Sequence, residues 1–218
     1  MKIADDTAAK VAEFLLRIKA VELAPNKPFR WSSGLLSPIY CDNRKVLSHP
    51  RIRTHIRQQL SERVQEEFGK PDAIVGVATG GIAIGALLAQ ELGIPFAYVR
   101  SEPKGHGKEN VIEGDLEKRA GIVVIEDLIS TGKSSLHAVQ NLKDEGYRVK
   151  GLAAIFSYGF EEAAERFREA ECRFTVLTDH ETLIRKASDQ GTVSKEELET
   201  LEDWRKDPVE WGKRMDLS

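Results

Sequence analysis

From Asp72 onward short apolar runs alternate with helical stretches, and this alternation restricts the fold more than any other feature of the chain. The runs fall at 73–77, 96–99, 122–125, 152–156 and 174–177. Helices are expected over 82–92, ended by Gly93, over 134–145, ended by Gly146, and over 160–170. Apolar runs without polar alternation fit strands covered on both faces. Strands separated by helices predict βαβ units, an α/β class, a mostly parallel sheet and right-handed crossovers. In open sheets of this kind ligands bind beyond the carboxyl ends of the strands. The chemistry is therefore expected just after Val77, Val99, Ile125 and Phe156.

The chain before the sheet reads differently. Val11, Phe14, Leu15 and Ile18 recur at helical spacing, with Thr7 as N-cap and Pro25 beyond the end. Residues 29–44, FRWSSGLLSPIYCDNR, suit short strands and loops. Within them, Asp42-Asn43-Arg44 fits either a structural turn or part of an interface. Ser48 and Pro50 open a second helix that stacks Ile52, Ile56, Leu60 and Val64. Residues 100–119 form a long, charged connection between two expected strands, where connections are usually short. In the tail, Ser194 and Glu197 form a capping-box pattern ahead of Leu198, Leu201 and Trp204. His49, His55, His137 and His180 are expected on helix or loop surfaces. The organisation predicted is N-terminal helices and hood (1–70), an α/β core (71–180) and a helical extension (181–218), all in one compact unit.

Composition narrows the class. Of 218 residues, 41% are hydrophobic and 31% charged, and the net charge is −3. No basic excess points to nucleic acid, so anionic substrates need local cations. Cys41 and Cys172 are too few for a disulfide framework or a zinc site and suit free thiols in a reducing compartment. The N-terminus lacks the apolar stretch of a secretory signal, and no apolar run approaches the ~20 residues that span a bilayer. A cytoplasmic protein with no membrane partner is expected.

Residues 123–135, VVIEDLISTGKSS, carry the chemistry. An apolar strand meets the acids Glu126 and Asp127, then Leu128 and Ile129, then a small hydroxyl-rich turn that opens a helix. Free N–H groups at the helix N-terminus, its dipole and the hydroxyls of Ser130, Thr131 and Ser134 suit a phosphate, and Gly132 permits close approach. Gly132-Lys133-Ser134 suggests a Walker A loop, but that motif needs a glycine where this chain has Asp127. Two carboxylates ahead of a phosphate turn suit ribose hydroxyls, which donate to them, and could support positive charge on a sugar ring.

This segment resembles the binding motif of type I phosphoribosyltransferases for 5-phosphoribosyl 1-diphosphate. The resemblance implies that fold, with Glu126 and Asp127 on the ribose 2′ and 3′ hydroxyls and residues 130–134 around the 5′-phosphate. Ala78, Thr79, Gly80 and Gly81 fit the family's diphosphate loop. Arg100, Lys104 and His106, in RSEPKGHG, resemble the mobile catalytic loop of the orotate phosphoribosyltransferases. Phe29 to Gly34, continuing into Ser37-Pro38-Ile39-Tyr40, resembles the hood that covers orotate there, which puts Ser32, Ser33 and Gly34, with Ser130, on the acceptor. The chain departs from a common pattern at Ser32, Gly80 and Ser101, where lysines are often found. It also lacks an arginine often placed after the fourth strand, where it reads Phe156-Ser157-Tyr158-Gly159.

The resemblance implies transfer of a phosphoribosyl group to orotate in pyrimidine biosynthesis. Mg2+ would bridge diphosphate and ribose without a dedicated protein cage. Lys104 and Arg100 would stabilise the departing diphosphate, His106 would assist, and Asp127 would lie under the developing cation. A homodimer with shared active sites is implied. Two alternatives stay open: a purine or uracil salvage phosphoribosyltransferase, and a donor-sensing regulator without catalysis.

Overall fold

The computed structural model describes residues 5–31, 33–100 and 111–216. Helix α1 (Asp5–Arg17) buries Ala8, Val11, Ala12 and Leu15, a stripe at helical spacing, with Phe14 and Ile18 along its edge. The helix begins before Thr7, so that residue does not cap it; its hydroxyl donates instead to Gln59 Oε1 on another helix at 3.0 Å. Two small antiparallel pairs follow. Strand β1 (Val21–Leu23) pairs with β4 (Ile39–Cys41), and β2 (Phe29–Arg30) pairs with β3 (Leu36–Ser37). A 3-10 turn (Asn43–Ser48) leads into α2 (Pro50–Phe68), which buries Ile52, Ile56, Leu60 and Val64 as their spacing predicts. Pro50 opens α2 at a position where its missing N–H costs nothing, but the N-cap is His49, and Ser48 instead ends the 3-10 turn.

The sheet comprises β5 (Ala73–Val77), β6 (Phe96–Val99), β7 (Ile112–Glu113), β8 (Gly121–Ile129), β9 (Arg148–Ser157) and β10 (Phe174–Asp179), in the order β10-β9-β8-β5-β6-β7. All pairs are parallel except β6 with β7. The two-residue strand β7 lies within the charged connection and was not signalled by any apolar run; it closes the sheet edge against Tyr98 and Val99. Helices α3 (Gly80–Leu92), α4 (Lys133–Asp144) and α5 (Glu161–Glu169) supply the crossovers. One buried cluster covers the sheet face that meets α1, α2 and α3, and a second covers the face that meets α4 and α5. The chain leaves β5 for β6 on one side and returns to β8 on the other. The β5–β8 pair is therefore the topological switch point, where a crevice opens at the carboxyl ends.

Three helices complete the chain: α6 (His180–Asp189), α7 (Lys195–Lys206) and α8 (Pro208–Asp216). The Ser194–Glu197 capping box forms with both reciprocal bonds. Trp204 is wholly buried and ties the tail to the hood: its Nε1–H donates to the Leu36 carbonyl at 3.3 Å, and its ring meets Trp31, Tyr158 and Phe160 at centroid distances of 5.8, 5.7 and 5.4 Å. None of the described helices is long and apolar enough to cross a membrane.

His180 is not on a surface, as its polarity suggested. It is fully buried beside Trp204, and neither ring nitrogen has a hydrogen-bond partner. Burial, with the Arg205 charge adding to it, lowers its pKa from 6.5 to about 3. In the unfolded chain the imidazole takes a proton near its ordinary value. Its contribution is thus fully present above that value and is lost as pH falls toward the folded one.

Two outcomes follow from this packing. Trp204→Ala should cost roughly 3–5 kcal/mol in urea unfolding. Between about pH 6.5 and 5, His180 should add a loss of stability of up to ~1.4 kcal/mol per pH unit. Unfolding midpoints at the two pH values should show that this loss disappears in His180→Phe.

Candidate active site

The crevice at the switch point owes its shape to three glycines. A Cβ on Gly81 would lie 2.2 Å from the Ile125 carbonyl oxygen, and one on Gly76 would lie 2.6 Å from the Gly81 oxygen. The start of α3 therefore packs directly on the β5 and β8 backbones. A Cβ on Gly80 would meet the Asp127 carboxyl at 2.2–2.4 Å, so that carboxyl lies over Gly80. The peptide bond between Ala78 and Thr79 is cis.

Strand β8 runs straight through the acid pair and stays paired with β9, Glu126 opposite Ala154 and Leu128 opposite Phe156. Neighbouring side chains on a strand point to opposite faces, and the two acids diverge accordingly. Glu126 is buried toward α4: its Oε2 accepts from Ser135 Oγ at 3.3 Å and its Oε1 from the Asp127 N–H at 3.0 Å. Burial, reinforced by the neighbouring Asp127 charge, raises the Glu126 carboxyl well above the usual range. Asp127 is half-buried at the crevice, and its carbonyl accepts from Asn43 Nδ2 at 2.7 Å. The Asp42-Asn43-Arg44 turn is thus structural at Asn43, which pins the 3-10 turn to the site. No spacing in the sequence signals a contact that bridges so long a separation.

Beyond Ile129 the chain turns through Ser130, Thr131 and Gly132 into α4. Gly132 has φ 77°, and a Cβ there would lie 2.9 Å from the Phe167 ring, so both conformation and space call for glycine. Arg166, paired with Glu162, donates to the Thr131 carbonyl at 3.0 Å and fixes the turn. Neither α4, with Gly132 at its N-cap, nor α3, with Thr79 there, has a side-chain cap on its first N–H groups. Residues 77–80, 126–128 and 130–134 line one cavity of about 300 Å³. Two uncapped helix N-termini thus meet one cavity, with the acid pair between them. That arrangement offers two anion sites separated by a site for hydroxyls or a cation.

A second cavity of about 900 Å³ shares Leu128, Ser130 and Thr131 with the first. Trp31, Ser33 and Tyr40 of the hood form one wall; Tyr158, Phe160 and the α7–α8 corner form the others. Tyr158 stacks on Phe160 at 5.6 Å and is almost wholly buried.

Most of the expected site residues meet here. Ala78, Thr79, Gly80, Glu126, Asp127, Leu128, Ser130, Thr131, Gly132, Lys133 and Ser134 line the first cavity, while Gly81 and Ile129 sit behind it as packing residues. Ser33 lines the second, and Gly34 lies next to it with its carbonyl taken by Arg30 at 3.0 Å. Arg100 lies away from both linings; its guanidinium faces Glu113 at 3.7 Å. Ser32, Ser101, Lys104 and His106 lie outside the described residues. The α7–α8 corner, at the second cavity, carried no signal in the sequence, because nothing in a capping box says what the far end of its helix touches.

Comparison with known proteins agrees with this geometry. Residues 42–195 match the phosphoribosyl transferase domain. The orotate phosphoribosyltransferase of Phocaeicola vulgatus is 52% identical over 92% of this chain and 94% of its own. That of Listeria innocua is 48% identical over 94% of this chain and 98% of its own. Among solved structures, the orotate phosphoribosyltransferase from Aeropyrum pernix superposes with a TM-score of 0.73 at 31% identity, over 84% of this chain and 99% of that one. A crevice with an acid pair between two helix N-termini, in a chain half identical to these relatives along nearly its whole length, places the protein in the type I phosphoribosyltransferase fold: it belongs to the phosphoribosyl transferase family, among the orotate phosphoribosyltransferases.

Proposed function

We propose that the protein transfers the phosphoribosyl group of 5-phosphoribosyl 1-diphosphate to N1 of orotate, giving orotidine 5′-monophosphate and diphosphate in pyrimidine biosynthesis. The observation that carries this reading is the first cavity, where two uncapped helix N-termini flank Glu126 and Asp127. The donor has a phosphate at each end and a diol between, and each part has a counterpart there. Residues 130–134 would hold the 5′-phosphate, Glu126 and Asp127 the ribose hydroxyls, and residues 78–81 the diphosphate. The second cavity, joined to the first at Leu128, Ser130 and Thr131, would take the acceptor under the hood, with Ser32, Ser33 and Gly34 around it.

The difficult step is cleavage of the anomeric C–O bond while positive charge builds on the ribose ring. Asp127 would lie beneath that charge. Glu126 would add a second part to its hydroxyl contact. Buried, with its carboxyl raised well above the usual range, it shapes the floor and accepts the Asp127 N–H at its Oε1. Orotate N1 would attack from the face opposite the leaving diphosphate, with inversion. Lys104, His106 and Arg100 would gather the negative charge of the diphosphate, and a closed loop would keep water from the donor. Arg100 would have to leave Glu113 to do so.

The residues present fit magnesium held mainly by substrate. The described residues contain no cluster of three metal-ligating side chains, and Asp127 is the more accessible carboxylate of the pair. Magnesium keeps several waters and binds through one or two carboxylates plus phosphate oxygens. When bound it would neutralise the diphosphate. A cytoplasmic homodimer, with each loop reaching the partner's site, completes the proposal.

The test is ultraviolet absorbance of orotate in the presence of donor and magnesium. Asp127→Asn should lower kcat on the order of a hundredfold or more. Glu126→Gln, which keeps the shape of the buried side chain, should lose much less. Lys104→Ala should lose most turnover while its circular dichroism stays that of the wild type. Full activity in Asp127→Asn or Lys104→Ala would refute the role given to that residue.

A further inference from the structure

The wall of the second cavity that comes from the C-terminal extension is the one the donor site does not explain. Helix α7 ends at Lys206 and α8 begins at Pro208, and the corner between them brings Arg205 and Lys206 to the space shared with Ser130 and Thr131. The carboxyl edge of β9 and the residues after it, Ser157, Tyr158, Gly159 and Phe160, bring no charge of their own to this space. Any anionic group of an acceptor lodged there must find its cation elsewhere.

We infer that Arg205 is the residue that receives the acceptor's carboxylate and so selects a carboxylated pyrimidine over its unsubstituted counterpart. The inference rests on the functional reading above. It deepens that reading by naming a specificity residue in the C-terminal helices.

Three observations carry it. First, Arg205 is held in place. Its guanidinium donates to the Gly159 carbonyl at 3.3 Å, between Tyr158 and Phe160, whose stacked rings line the same cavity. Arg205 is thereby held at the wall of the cavity that an acceptor would enter. Second, Arg205 has donors to spare. A guanidinium carries five N–H groups, and only this one hydrogen bond engages it among the described residues. A planar fork suits a carboxylate in two-point contact.

Third, the other charges around the cavity are occupied or sit at its rim. Arg30 faces Asp216 at 2.9 Å and donates to the Gly34 carbonyl. Glu162 pairs with Arg166, and Asp207 Oδ1 accepts the Glu210 N–H at 3.0 Å. Glu161 and Lys206 are exposed, whereas Arg205 is half-buried, where water screens a charge less. The lining acids oppose an anion in general, so a carboxylate gains entry only where a fixed cation meets it.

Steady-state kinetics of the full chain with orotate, donor and magnesium tests this. Arg205→Gln should raise KM for orotate about tenfold to a hundredfold, the loss of a charged hydrogen-bond pair. KM for the donor should stay unchanged. Inhibition by uracil, the same ring without the carboxylate, should be equal in wild type and variant. Arg205→Lys, which keeps the charge but not the fork, should fall between them; it also provides a folded comparison if the glutamine variant is unstable. An unchanged orotate KM, or orotate and uracil weakening in parallel, would overturn the assignment. Absence of orotate turnover in the wild type would overturn the functional reading and this inference with it.

Discussion

The contact between the first turn of α3 and the β5–β8 pair is the constraint on which the rest of the site depends. At Gly76 and Gly81 backbone meets backbone with no room for a Cβ, and at Gly80 the space a side chain would take holds the Asp127 carboxyl. This packing brings the α3 N-terminus to the switch point, opposite the α4 N-terminus that follows β8. A bulkier residue at 80 or 81 would have to displace Asp127 or the helix. Gly80 stands where a lysine is common in comparable loops, and the position of Asp127 gives a physical reason for the smaller residue here.

The acid pair shows how one strand gives two adjacent acids different surroundings. Alternation along β8 turns Glu126 into the interior and leaves Asp127 at the crevice. Burial, reinforced by the Asp127 charge, raises the Glu126 carboxyl well above the usual range, while Asp127 lies at the crevice. Asn43 then fixes the Asp127 backbone from the 3-10 turn, which links the N-terminal segment to the crevice.

Much of this was legible in the sequence. The β5 boundaries, the stripe of α2, the Ser194 cap and the placement of the 130–132 turn at the α4 N-terminus follow from apolar patterning and turn chemistry, which are local. Contacts between distant segments were not legible. Nothing local to His180 distinguishes it from a surface histidine; the ring is buried because α7 lays Trp204 beside it. Nor does Thr7 announce that the helix starts earlier and that its hydroxyl is taken by Gln59. The short edge strand β7 has too few apolar residues to register, and it exists because β6 offers it an open ladder. Arg205 and Asn43 belong to the same class: their parts are set by residues far along the chain.

The central claim is that the two helix ends divide the donor between them, with the acid pair on the sugar. A crystal structure of the chain with 5-phosphoribosyl 1-diphosphate and magnesium tests it most directly. The account predicts the 5′-phosphate within hydrogen-bond distance of the 130–134 backbone, the diphosphate at residues 78–81, and the ribose hydroxyls facing Asp127. A donor bound in the reverse sense, or bound away from Asp127, would contradict it.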